Sequence, residues 1–135
     1  SGEVFRRADL ALKETDITDL EERVIFLIDN IINQLAGDRT LLGFISKNLS
    51  WGVFKNVLIG AGEYSEVDFY DVYHSMFQNE GKFKDPEVMV FMIIELVGAT
   101  CYSSILYGEP VGIEALKPYI FRTIRGIMAA HRIAE

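Results

Sequence analysis

The most constraining feature of this sequence is an apolar run, VMVFMIIELVGATCYSSILY at residues 88–107, with one charged residue, Glu95, near its middle. The run is long enough to cross a bilayer. A carboxylate at the centre of a membrane span costs about 3 kcal/mol, however, and Thr100 and Ser103 make the run more polar still. No other segment resembles a second span. We therefore interpret the run as a helix buried in protein and expect no association with a membrane.

The composition indicates one folded domain, residues 1–135, and excludes several classes of function. Half of the residues are hydrophobic, which excludes a disordered chain. The formal charge of −7 gives the chain no electrostatic attraction to phosphates or anionic lipids, so we expect it not to bind nucleic acid itself. A single cysteine, Cys101, excludes an intrachain disulfide and suits a reducing compartment, so we expect a cytoplasmic protein.

Helix signals are frequent along the chain and strand signals are nearly absent, which predicts an all-α fold, a bundle of six to seven helices. Thr18 and Glu21 form a capping box, Asp38 can cap a following helix, and Asp85 with Pro86 is a strong helix start. Pro118 is tolerable only near the start of its helix, or it marks a kink. The predicted helical segments are 3–13, 18–37, 38–49, 50–60, 65–81, 85–108 and 113–128.

Sequence patterns for catalysis are mostly missing. The chain has no glycine-rich phosphate loop, no cysteine pair for zinc and no nucleophile elbow. Asp68, Asp71 and His74 could share one side of a helix, but this spacing is more typical of a solvated acidic face than of a metal site. Cys101 lies in the most apolar segment, where a thiol behaves as a small hydrophobic group. We expect no enzyme, no catalytic residue, no metal and no cofactor.

Aromatic and methionine side chains on the predicted helices suggest a pocket. Core packing explains each of them singly, but together with a few polar groups they are typical of an apolar site for a small molecule. We expect a small hydrophobic or amphipathic ligand whose identity the sequence does not indicate. The residues predicted to line the pocket are Phe44, Asn48, Trp51, Phe54, Tyr73, Phe77, Met92, Glu95 and Tyr102.

Glu95 has two explanations. A carboxylate on a buried helix needs a partner, and His74, Arg122, Arg125 or a tyrosine hydroxyl could hydrogen-bond or pair with it. Alternatively, it is a polar anchor for a ligand in a cavity. Buried charges are normally paired, which favours the first explanation. An enzyme that uses Glu95 and His74 as acid and base would require both side chains to meet in one cleft.

The second half of the chain resembles the C-terminal regulatory domain of TetR-family transcription regulators. The resemblance rests on FMIIELVGATCYSSILYGEPVGIEALKPYIFRTIRGIM at 91–128 and on FISKNLSWGVF at 44–54. It implies a ligand-sensing domain whose last two long helices pair with their copies in a dimeric four-helix interface. The expected dimer contacts include Val90, Val97, Cys101, Ile120, Ile124 and Ile127.

The resemblance also implies how the protein would act. The N-terminal helix-turn-helix of the family is missing from this chain, so a full-length repressor or activator would bind DNA through a part that precedes SGEVFRRADLALKE. That first helix would transmit ligand binding to the DNA-binding heads as a population shift. The alternatives are a stand-alone helical carrier of a hydrophobic small molecule and a purely structural dimerisation module with a filled core.

Overall fold

A computed structural model describes residues 2–48 and 81–134, and most of these residues are helical. This confirms the all-α prediction. The described part has no β-strand beyond an isolated bridge between Phe83 and Arg132. The predicted helices at 50–60 and 65–81 fall almost entirely outside the described residues. The five helices of the described part are α1 (Gly2–Lys13), α2 (Leu20–Ala36), α3 (Arg39–Asn48), α4 (Pro86–Tyr107) and α5 (Ile113–His131).

The caps of α2 and α3 are aspartates. Asp38 accepts a hydrogen bond from the backbone N–H of Leu41 at 3.0 Å, which confirms the predicted cap of α3. The cap of α2 is Asp19, whose Oδ2 accepts from the N–H of Glu22 at 3.0 Å. The capping box predicted at Thr18 is therefore wrong by one residue. Both positions have an oxygen-bearing side chain with a glutamate three residues later, and the sequence alone does not separate them.

The start of α4 follows the prediction in part. Pro86 is its first residue, where a missing N–H costs nothing, but Asp85 makes no capping hydrogen bond through its side chain. Its backbone is left-handed, with φ 49° and ψ 57°, a conformation that aspartate tolerates better than most residues. Asp85 is therefore the N-cap of α4, as predicted, but it caps the helix through its backbone carbonyl, which accepts from the N–H of Met89 at 3.1 Å, and not through its carboxylate.

A tight turn joins α4 to α5. Gly108 adopts a left-handed conformation, with φ 66°, and its N–H donates to the carbonyl of Ser104 at 3.0 Å. The hydroxyl of Ser104 donates to the carbonyl of Val111 at 2.6 Å, and that of Ser103 donates to the carbonyl of Glu109 at 2.8 Å. The two serines thus hold the turn that brings α5 back along α4. Helix α5 begins at Ile113 and contains Pro118 in its second turn, where the missing N–H removes one hydrogen bond of the helix.

The main core lies where α4 packs against α5 and α2. Five of the six side chains predicted to contact a second copy of the chain are buried in this core. They are between 0% and 6% exposed within one chain, so they have almost no surface to offer a partner. These five residues are Val90, Val97, Cys101, Ile120 and Ile124. The sixth, Ile127, is only partly buried against the same core, and its contact with a partner stays a prediction, as does the homodimer itself.

A second, smaller core joins α1 to α2 and α3. Val4 and Ala8 of α1 are buried against Ile31 of α2 and Leu42 of α3. The side-chain amide of Gln34 also donates a hydrogen bond to the backbone carbonyl of Val4 at 3.0 Å. Helix α1 is therefore attached to the bundle by apolar packing and by one polar link from α2.

Ion pairs connect α2 with α5 at two points. Near the start of α2, Arg125 contacts Glu22 at 2.7 Å and Glu21 at 3.3 Å. Farther along, Lys117 lies 3.0 Å from a carboxylate oxygen of Asp29, and the lysine side chain is only 13% exposed. These contacts fix α5 along α2.

By length and composition, α4 is the single helix in residues 2–48 and 81–134 that could cross a membrane. A buried core helix passes the same test, so this is weak evidence for a span. In this fold, 33% of the most apolar window of α4 is buried inside the protein. The buried side contributes Ile93 and Val97 to the main core, and Val88 and Met92 are exposed.

Candidate functional site

A cavity of about 440 Å³ lies among α1, α2, α3 and α4. Volumes of this size are typical of pockets for small molecules. The cavity is partly open, because Ala99 on its α4 wall is exposed to solvent. The lining residues are Val4, Phe5, Ile28, Ile31, Leu35, Leu42, Ile45, Ile94, Glu95, Val97, Gly98, Ala99, Cys101 and Tyr102.

The described residues that line the cavity are almost all apolar. Glu95 is the single charged side chain among the lining residues that the structure describes, and Cys101 and Tyr102 supply the other polar side-chain atoms. Hydrocarbon side chains from four helices form the rest of the described wall. The arrangement therefore combines a large apolar contact surface with few polar groups, which is how small-molecule sites achieve both affinity and orientation.

The α4 wall has a regular order along the helix. Glu95, Gly98, Ala99 and Tyr102 are spaced i, i+3, i+4 and i+7, so they share one face. Gly98 leaves space in the middle of this face, because a Cβ atom added there would meet, among the described residues, no atom within 4 Å beyond its chain neighbours and the backbone of its own helix. The wall thus has a carboxylate at one end, two small residues in the middle and a tyrosine at the other end.

Glu95 forms no hydrogen bond or ion pair with any described residue. The expected pairing with Arg122 or Arg125 is therefore wrong: Arg125 contacts the carboxylates of α2, and the guanidinium of Arg122 lies over the Tyr119 ring, 5.2 Å from its centroid. The other named partner, His74, lies outside the described residues. Within the described part of the chain, the carboxylate of Glu95 borders the cavity without a partner, as the ligand-anchor explanation requires.

Cys101 lines the cavity as an inert group. Its side chain is 1% exposed, and burial raises the pKa of its thiol to about 11, although the Thr100 hydroxyl and the Lys117 charge oppose the change. A thiol with this pKa stays protonated near neutral pH and is a poor nucleophile. This agrees with the prediction that Cys101 acts as a small hydrophobic group.

The structure brings together two of the residues predicted to line a pocket, Glu95 and Tyr102. Two others, Phe44 and Met92, are 54% and 47% exposed and do not line this cavity. Val4 of α1 and Leu42 of α3 line the cavity together with Gly98 of α4, and Met92 is not among these lining residues. The remaining predictions concern the Asn48 side chain, Trp51, Phe54, Tyr73 and Phe77, which lie outside the part of the chain that the structure describes.

The largest group missed from the sequence lies on the first three helices. Val4 and Phe5 of α1 form part of the wall, although α1 was predicted to transmit ligand binding and not to line the pocket. Their spacing with Ala8 and Leu12 indicates an amphipathic helix, which was the available signal that α1 packs inward. The other residues missed on these three helices are Ile28, Ile31, Leu35, Leu42 and Ile45.

Other kinds of site find no support in the described residues. No group of three or more His, Cys, Asp or Glu side chains there could hold a metal ion. Comparisons of the chain with protein-family models, with curated proteins and with solved structures found no match.

Proposed function

We propose that this chain is the effector-binding domain of a TetR-like transcriptional regulator, acting as a homodimer. The observation that carries the proposal is the cavity of about 440 Å³, whose described wall is mostly apolar and has one unpartnered carboxylate. A domain that served only as structural packing would gain stability by filling this space. The open position beside Gly98 instead suits a core that leaves room for a small molecule.

The position of α1 supports a sensing role. Val4 and Phe5 of α1 face the cavity, and α4 forms the wall that includes Glu95, so a bound molecule would contact both helices. A ligand that binds one placement of α1 more tightly than another shifts the population toward it. In the proposed mechanism, α1 carries this change to DNA-binding heads that precede it in the full-length protein.

Substitutions that fill the cavity test the proposal. The Gly98→Leu variant places a large side chain in the open space on α4. Gly126→Leu is the matched control, because Gly126 also lies within a helix, is exposed and has nothing within 4 Å of an added Cβ. Both substitutions gain helix propensity, of about 1 kcal/mol. Only the first one alters the cavity.

The measurement is a thermal-shift screen with chemically varied small molecules. We expect some of them to raise the Tm of the wild type and of Gly126→Leu, because a ligand that binds the native state stabilises it by mass action. The same compounds should leave the Tm of Gly98→Leu unchanged. Equal stabilisation of Gly98→Leu, or no stabilisation of the wild type by any compound, would contradict binding in this cavity.

The regulator and the carrier differ in what precedes the chain in its native gene. A helix-turn-helix encoded directly upstream of residue 1 would support the regulator. An upstream region without one would favour a stand-alone carrier that uses the same cavity. Ligand screening alone does not separate these two functions, so the gene sequence is the required second observation.

A further inference from the structure

We propose that the ligand of this cavity is an amphipathic cation, a protonated amine or a quaternary ammonium group on an elongated apolar body. This inference rests on the proposed function, because it requires that the cavity binds a small molecule. It adds the chemical class of that molecule.

Glu95 indicates the charge of the ligand. Its carboxylate is partly buried, is the single charged group among the described lining residues, and has no partner among the described side chains. Taking a charge out of water is unfavourable unless an opposite charge or hydrogen-bond donors replace the water. A ligand cation supplies both, whereas a ligand anion would be repelled. The chain's net charge of −7 also attracts cations toward the opening.

The α4 wall indicates the shape of the ligand. Glu95 and Tyr102 are seven residues apart, which places them about 10 Å from one another along the helix axis. Gly98 and Ala99 lie between them and leave space for a ligand. A molecule with its charged end at Glu95 can therefore lay an apolar chain over Gly98 toward Tyr102. Hydrocarbon side chains of α1, α2 and α3 cover the opposite side of that path.

Three probes of matched length test the assignment: octylammonium, 1-octanol and octanoate, which share an eight-carbon chain and differ in the charge of the head group. Calorimetric titration would measure their affinities for the wild type, Glu95→Gln and Glu14→Gln. Glu14 is exposed, so Glu14→Gln changes the net charge by the same amount without altering the cavity. Because Glu95 has no described partner, Glu95→Gln should fold as the wild type does. The three wild-type affinities test the assignment independently of any variant.

We expect octylammonium to bind the wild type about ten-fold more tightly than 1-octanol, with octanoate the weakest of the three. Glu95→Gln should abolish the difference between octylammonium and octanol, and Glu14→Gln should retain it. Equal binding of octanol and octylammonium to the wild type would overturn the cation assignment but leave the proposed small-molecule function intact. A preference for octylammonium that survives Glu95→Gln would overturn it too. If none of the three binds and the thermal-shift screen finds no ligand, both proposals fail.

Discussion

Arg125 donates a hydrogen bond of 2.7 Å to the carboxylate of Glu22, joining α5 to the first turn of α2. The same guanidinium reaches Glu21 at 3.3 Å. Arg125 is therefore committed to α2 and does not approach Glu95 on α4. This relationship, which the sequence does not indicate, leaves the cavity carboxylate without the arginine partner that was expected for it.

The contact between Lys117 and Asp29 should contribute more to stability than the Arg125 pairs. The Lys117 side chain is 13% exposed, and its Nζ also donates to Asn33 Oδ1 at 2.6 Å, whereas the Arg125 side chain is 40% exposed. We expect Lys117→Met to lower the free energy of unfolding by about 2 kcal/mol. Arg125→Met should lower it by less than about 1 kcal/mol, an effect that salt reduces further. Urea denaturation at low and high salt measures both, and equal losses would contradict this ranking.

The stabilisation by Lys117 should depend on pH at the alkaline end. Burial opposes the charge of Lys117, but hydrogen bonds and attraction from Asp29 and Glu114 outweigh burial and raise its pKa above 10.5. A lysine with a raised pKa binds its proton more tightly in the folded chain, so its contribution is complete below pH 10.5 and disappears as the pH rises through the folded pKa. The stability difference between the wild type and Lys117→Met should therefore shrink above pH 10.5. A difference that stays constant with pH would contradict this account.

Cys101 predicts a second alkaline effect with a different cause. Burial raises its pKa from 9.0 to about 11, so between these values the folded chain retains a thiol proton that the unfolded chain has lost. Stability should therefore fall as the pH rises through this window, by up to about 3 kcal/mol for this group. Cys101→Ala removes the thiol and should show a flatter stability profile from pH 9.0 to 11. Parallel profiles for the two proteins, measured by urea denaturation, would show that the thiol is not buried.

The link from Gln34 to α1 should control how firmly α1 is held. Gln34 Nε2 donates to the carbonyl of Val4 and to Asn30 Oδ1, and its own Oε1 is buried with no hydrogen-bond partner in the described structure. Gln34→Met removes the link together with the unpartnered oxygen, so global stability should change by less than about 1 kcal/mol. Hydrogen exchange of the α1 amides should nevertheless become faster. The control is exchange in α5, which should not change. Unchanged exchange in α1 would show that apolar packing alone holds this helix.

Ile124 tests whether the main core belongs to one chain. It is fully buried within the single chain and was predicted from the sequence to be a dimer contact. Ile124→Ala should destabilise the fold by about 2–5 kcal/mol because of the cavity that it creates. That loss should be the same at low and high protein concentration. A loss that grows or shrinks with concentration would place Ile124 at an interface between copies after all.

Local signals predicted much of the fold correctly. The periodic apolar positions of α2, α4 and α5 and the cap at Asp38 depend on residues close in sequence, and the structure confirms them. The cap predicted at Thr18 is wrong by one residue, because the neighbouring Asp19 offers an equivalent cap. Asp85 is the predicted N-cap of α4, but its backbone is left-handed and its carboxylate makes no capping hydrogen bond.

The site was less accessible to sequence reasoning, because it depends on which helices meet. The spacing of Glu95 and Tyr102 on α4 follows from helix geometry, and both line the cavity. The opposite wall, with Val4 and Leu35, comes from helices whose positions are set by tertiary packing. The same limit explains the dimer assignment: an apolar face at Val97 and Ile124 predicts a close helix contact, and the sequence does not say whether the partner helix belongs to the same chain.

The most direct test of the account is where a small amphipathic cation contacts the protein. Intermolecular nuclear Overhauser effects between octylammonium and the labelled protein measure this without any substitution. Binding of octylammonium in the cavity predicts contacts from its alkyl chain to Ile94 and Tyr102 of α4 and to Val4 of α1, all of which line the cavity. Contacts confined to exposed apolar side chains such as Val88 and Met92, or no contacts at saturating octylammonium, would contradict it.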